Sequence, residues 1–161
     1  MSSRLFTINA VSGDRDLRDA VTLIRAYAAA LPIDLAYQDF EAEIAAMPGK
    51  YAPPEGTLLL ARGADGAALG CVGLRPLPGG GDSEMKRLYV APTGRGLGVG
   101  RALVATVIGM ARQLGYQRLL LDTLPSMPAA IALYRQAGFA TIPPYYETPV
   151  AGTCFMALTL R

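Results

Sequence analysis

Hydrophobic positions along this chain switch between two periods, and the switches lay out its elements. Residues 5–9 alternate and read as a short first strand. Val21, Ile24, Ala28 and Leu31 fall near helical spacing, so a helix capped by Asp14 or Asp16 runs to about Ala30 and stops at Pro32. A second helix is expected over 37–47, ended by Pro48-Gly49. Strands at 57–62 and 69–75 flank the hairpin signal Asp65-Gly66. The cluster Gly79-Gly80-Gly81 leads into a central strand at 82–90. Val99, Leu103, Val107, Met110 and Leu114 stripe a helix over 98–114, closed by Gly115. A buried strand follows at 118–122. Ser126 caps the next helix, with Pro128 tolerated in its first turn. Runs at 139–141 and 153–160 close the sheet, giving an α/β chain of order βααβββαβαββ.

Composition narrows the function. The 161 residues show no repeat or linker and read as one domain. An apolar content of 52% rules out disorder, and no apolar run approaches the roughly 20 residues of a membrane span. The first residues lack the apolar stretch of a signal peptide. Cys71 and Cys154 match no metal spacing and read as reduced thiols, which points to the cytoplasm. A net charge of +2 without a basic tract argues against nucleic acid as a partner. The chain has no histidine, which removes His-based triads, His metal sites and imidazole acid–base work. Proton transfer here must use Glu, Asp, Tyr, Cys, Lys, a terminus or water.

Between the central strand and the striped helix stand Gly94, Gly96, Gly98 and Gly100. Glycine early in a helix costs about 0.5–1 kcal/mol relative to Ala, so the repetition suggests close approach of a ligand to the backbone. Bare N–H groups at a helix mouth favour an anion, above all a phosphate. No Lys follows these glycines, so the loop is not a P-loop. Every register of G-x-G-x-x-G fails at its last position, so it is not a dinucleotide fingerprint either.

The loop does fit R-x-x-G-x-G, as Arg95, Gly98 and Gly100. This resembles the acetyl-coenzyme A pyrophosphate loop of the GNAT superfamily of N-acetyltransferases. Downstream, Ala130, Leu133, Tyr134, Gly138 and Phe139 resemble that superfamily's A-x-x-L-Y-x-x-x-G-F segment. The two motifs, in this order and with the 118–122 strand between them, cover roughly residues 84–139, about a third of the chain. The resemblance implies a GNAT fold, a mixed and mostly antiparallel sheet with helices on both faces. It also implies acetyl transfer from acetyl-coenzyme A to a primary amine by direct attack through a tetrahedral intermediate.

The resemblance assigns the pyrophosphate to the amides of Gly96, Gly98, Val99, Gly100 and Arg101, with charge from Arg95 and Arg101. The segment Leu88, Tyr89, Val90 would carry the pantetheine arm on the backbone of Leu88 and Val90, and the Val90 amide would polarise the thioester carbonyl. Tyr134 matches the tyrosine that protonates the leaving thiolate. Glu84, eleven positions before Arg95, matches the glutamate base of the family's histone acetyltransferases. A solvent-facing carboxylate beside Lys86 and Arg87 is the other reading of Glu84. Where many members carry a cofactor-binding asparagine, this chain has Met127, and a thioether cannot replace an amide donor.

Acceptor candidates are Tyr27, Asp34, Tyr37, Tyr145, Tyr146 and Glu147, with the proline-rich segment 142–149 as a rigid wall or a plain hairpin loop. The core fold uses nearly the whole chain, which favours a small-molecule amine over a protein acceptor. A homodimer is the default assembly by analogy. A non-catalytic acyl-coenzyme A sensor or scaffold is the competing reading; it would need the glycine loop but neither Tyr134 nor Glu84.

Overall fold

The computed structural model describes residues 5–161; residues 1–4, part of the N-terminal stretch read above, lie outside them. The elements are β1 (Phe6–Ala10), α1 (Gly13–Ala30), α2 (Phe40–Ala46), β2 (Thr57–Gly63), β3 (Ala68–Pro76), β4 (Asp82–Val90), α3 (Val99–Gln113), β5 (Arg118–Thr123), α4 (Pro128–Gln136), β6 (Ala140–Ile142) and β7 (Cys154–Thr159). Their order is the expected one. The seven strands form one sheet, β1-β2-β3-β4-β5-β7-β6. All neighbours run antiparallel except β4 and β5.

Alternation along the strands divides the apolar residues between two layers. Leu59, Ala61, Val72, Leu74, Met85, Leu119 and Leu121 pack beneath α3, with Leu103, Val104 and Val107 supplied by the helix. Leu60 and Cys71 face the other way, against Ala20, Leu23, Ile24, Phe40 and Ile44 of α1 and α2. The sheet is therefore covered on both faces; β2 and β3 are largely apolar on both sides, whereas the middle strand β4 buries Ser83, Glu84, Lys86 and Arg87.

Three local expectations are corrected. The second helix starts late because Leu35–Gln38 forms a 3-10 turn and Asp39 adopts φ 56°, a left-handed conformation that interrupts the helical path. Ser126 does not cap α4; Met127 occupies that position, and no side chain closes the helix start. In α1 the cap position is Ser12, and Asp16 reaches back to accept the Ser12 amide at 3.0 Å.

Two irregularities in β4 shape everything that follows. First, Cys71 pairs with Tyr89 but Gly73 pairs with Lys86, so β4 carries one extra residue opposite Val72. Arg87, within this bulge, sits at φ 61°. Its guanidinium is buried, donating to Glu43 Oε2 and Gln38 Oε1 at 2.9 Å each and lying 5.3 Å from the Phe40 ring centroid. Those contacts tie the α2 region to the bulge. Glu43→Gln leaves a buried guanidinium without its counter-charge, at a cost of about 3–5 kcal/mol. We expect the melting temperature to fall by roughly 10 °C in a thermal scan.

Second, β4 and β5 pair only at Asp82–Arg118, Ser83–Leu119 and Glu84–Leu120. Beyond Glu84 both strands continue, but apart. The result is a V open toward the C-terminal ends of two parallel neighbours.

Candidate active site

The glycine loop follows β4 and turns into α3. Gly94 is demanded by packing, since a Cβ there would meet the Leu69 carbonyl at 2.8 Å. Gly96 and Gly98 lie at φ 81° and 83°, where a side chain is strained, and the space beside both is open. Gly100 is different. A Cβ there would make only ordinary contacts, 3.5 Å to Val90 and 3.6 Å to Leu133, so the fold itself does not require glycine. The four glycines thus have three separate causes, and only Gly100 needs a ligand to account for it.

Gly98 caps α3 without any side-chain hydrogen bond. The first helical bond runs from the Ala102 amide to the Gly98 carbonyl at 3.1 Å. The amides of Val99, Gly100 and Arg101 precede it and have no acceptor within the helix. Together with the dipole of this 15-residue helix they form an anion cradle. Arg95 and Arg101 are exposed beside it. Arg95 Nε reaches the Val90 carbonyl at 3.3 Å, and Arg101 Nη2 reaches Gln136 at 3.4 Å.

Backbone alternation settles where β4 directs its free groups. The Ala91 amide donates to the Leu69 carbonyl at 2.8 Å, so that pair carries the ladder bonds. Val90 and Leu88, one and three positions earlier, therefore turn their N–H and C=O away from β3 and into the V. The Val90 amide is open to an extended ligand, while its carbonyl accepts from Arg95 Nε. Tyr89, between Leu88 and Val90, bonds toward β3 and packs its ring against Tyr27 at 6.2 Å.

A narrow cavity of about 70 Å³ occupies the V, lined by Tyr27, Tyr37, Lys86, Leu88, Asp122 and Tyr134 among others. Tyr134 comes from α4, is 7% exposed and packs edge-on to Phe139 at 5.9 Å. Burial raises its hydroxyl pKa, with the nearby Tyr27 and Asp122 adding to the shift. The phenol is held in its neutral, proton-bearing form. Met127, at the start of α4, lines the same cavity.

Glu84 does not face solvent, contrary to one of the two readings; it is 1% exposed. Its Oε1 receives Arg75 at 2.8–2.9 Å, and its Oε2 accepts the Tyr145 hydroxyl. It borders a second, larger cavity of about 350 Å³ with Tyr37, Gln38, Arg75, Lys86, Tyr145 and Tyr146. Asp122 stands in a parallel arrangement on β5. It accepts the Tyr146 hydroxyl and lies 3.5 Å from Lys86 Nζ. Burial, then the neighbouring carboxylate, pushes the pKa of both tyrosines up, so each stays a donor. Tyr145 and Tyr146 also pack edge-on against Phe155 at 5.2 and 5.1 Å, which fixes the proline-rich segment as a wall of this cavity.

Of the acceptor candidates, Tyr27, Tyr37, Tyr145 and Tyr146 gather here. Asp34 instead accepts the Ala36 amide at 2.9 Å at the 3-10 turn, and Glu147 is exposed. Asp122, Lys86 and Arg75 join the site unannounced. Their signal was present as charges inside otherwise apolar strand runs, since a charge in such a position needs a partner or a task.

A model of the acetyltransferase (GNAT) family matches residues 22–139, and the chain belongs to that family. An uncharacterized N-acetyltransferase of Schizosaccharomyces pombe is 42% identical over 154 residues, covering 96% of this chain and 94% of its own. A Klebsiella pneumoniae structure described as an acyl-CoA N-acyltransferase superposes with a TM-score of 0.75 at 28% identity, covering 98% and 99% of the two chains. A Salmonella typhimurium structure described as an acetyltransferase, solved with its cofactor acetyl-CoA, gives a TM-score of 0.64 at 21% identity, covering 98% and 95%. The protein is an N-acetyltransferase of the GNAT fold, and its family uses acetyl-coenzyme A. Among the described residues no helix is long and apolar enough to cross a membrane.

Proposed function

We propose that the protein acetylates the primary amine of a small molecule bound on the α1/α2 side of the V, with acetyl-coenzyme A entering from the α3/α4 side. The observation that carries this reading is the opening of β4 from β5 behind the glycine cradle, with Tyr134 and Asp122 lining the same cavity. The amides of Val99, Gly100 and Arg101 hold the pyrophosphate, and Leu88 and Val90 pair with the pantetheine arm. Acetyl-coenzyme A supplies an activated acetyl thioester. The Val90 amide, aimed into the V, stabilises negative charge that develops on the thioester oxygen.

Only the neutral form of an amine attacks, and an alkylamine with pKa near about 10.4 arrives protonated. Asp122 is placed to take its proton, because it borders the cavity that holds Tyr134. Glu84, the base suggested by resemblance, is occupied by Arg75 and Tyr145 and lies outside that cavity. We assign it to positioning Tyr145. Asp122 takes the ammonium proton before attack. As the new N–C bond forms and the C–S bond breaks, the Tyr134 proton passes to the departing thiolate and the second amine proton returns to the Tyr134 oxygen. Asp122 then releases its proton to solvent.

The test of the cofactor half is Gly100→Glu. The fold leaves room for its Cβ, whereas the side chain adds bulk and negative charge beside the cradle. Calorimetry should show acetyl-coenzyme A affinity weakened by at least about 100-fold, since like-charge juxtaposition costs several kcal/mol. An unchanged affinity would remove the cradle from the reading.

A further inference from the structure

Five charged side chains of the sheet, Arg75, Glu84, Lys86, Arg87 and Asp122, face the acceptor side of the V. Arg75 and Glu84 satisfy each other at 2.8 Å. Arg87, close by, is taken by Glu43 and Gln38. Lys86 differs from these. Its side chain is 5% exposed, yet its ammonium meets Asp122 Oδ1 only at 3.5 Å, longer than an ordinary N–H···O bond. No other carboxylate lies within 4.0 Å of it among the described residues. An ammonium carries three donors, and those that Asp122 does not meet open into the cavities that Lys86 lines. Lys86 borders both cavities, so an anion entering either can fill them.

The placement of the pair narrows which anion. Pairing of β4 with β5 ends at Glu84–Leu120, and Lys86 and Asp122 each stand two residues further along their own strand. A cation and an anion therefore sit side by side just past the apex of the V. This is the complement of a zwitterion whose amine and carboxylate lie on the same or adjacent carbons. The pocket is also close to neutral, with Arg75 set against Glu84 and Lys86 against Asp122. A polyamine or a basic peptide would demand an excess of carboxylates.

We propose that the acceptor is an amino acid, bound with its carboxylate on Lys86 and its amine on Asp122, its side chain extending toward Tyr37, Tyr145 and Tyr146. This rests on the acetyl-transfer reading and adds the substrate class to it. The product is an N-acetylamino acid, formed with release of free coenzyme A thiol.

The experiment measures thiol release from acetyl-coenzyme A with matched acceptor sets, each an amino acid, its amide and its decarboxylated amine. We expect kcat/KM to favour the amino acid by about 10- to 100-fold, the range of a hydrogen bond to a charged group. The comparison is stringent, because converting the carboxylate to an amide makes the amine less basic and so more often neutral. In Lys86→Gln the ratio of amino acid to amide should collapse toward one, with acetyl-coenzyme A affinity checked by calorimetry. Thiol release without preference for the carboxylate in the natural protein would overturn the inference while leaving acetyl transfer standing. A preference that survives Lys86→Gln would overturn the role of Lys86. Binding of acetyl-coenzyme A with turnover of no acceptor would overturn acetyl transfer to small amines, and this inference with it.

Discussion

Asp122→Asn lowers kcat/KM for the amine acceptor by about 100-fold or more, the span over which a positioned acid or base acts. The asparagine keeps the shape of the carboxylate and still meets the Tyr146 hydroxyl, but it cannot take a proton. Glu84→Gln is the necessary companion. It breaks a buried pair with Arg75, so its first effect is on stability, visible as a lowered melting temperature. Its effect on turnover should be the smaller of the two. The opposite pattern, with Glu84→Gln inactive at an unchanged melting temperature and Asp122→Asn active, would return the proton-accepting role to Glu84.

Tyr134→Phe should lower kcat by about 100- to 10,000-fold, with the affinity for acetyl-coenzyme A little changed. The ring keeps its place against Phe139, and only the hydroxyl is lost. Because burial raises the pKa of this phenol, its proton remains in place as pH rises through the physiological range. The rate should therefore show no falling limb from Tyr134 below about pH 10, the value for a free tyrosine. Unaltered turnover in single-turnover kinetics would take Tyr134 out of the reaction.

The element order and the cofactor side were legible in the sequence because they depend on local rules. Apolar periodicity marked the strands and helices, and the repeated glycines marked the loop. The apolar stripe of α3 was readable for the same reason at Val99, Leu103 and Val107, but Leu114, expected to end it, lies past the helix and is exposed. Partners were not legible. That Glu84 would be buried against Arg75, and Asp122 against Lys86 and Tyr146, depends on residues from β3, β4, β5 and the 142–149 segment meeting in space. Nothing near either carboxylate in the chain announces its neighbours. The break at Asp39 was also hidden, since a single left-handed residue leaves the apolar pattern of α2 intact. So was the bulge, because Arg87 rather than a glycine takes the positive φ.

That extra residue in β4 acts as a half-period phase shift. Before it, Glu84 and Lys86 point toward the amine-binding side and Met85 toward the opposite layer. After it, Leu88 and Val90 belong with Met85, although an unbroken strand would set them beside Lys86. One strand can therefore present ions to one reactant and a greasy, hydrogen-bonding edge to the other. Deleting a single residue at this point would exchange the two surfaces, which makes the length of β4 as binding a constraint as any side chain it carries.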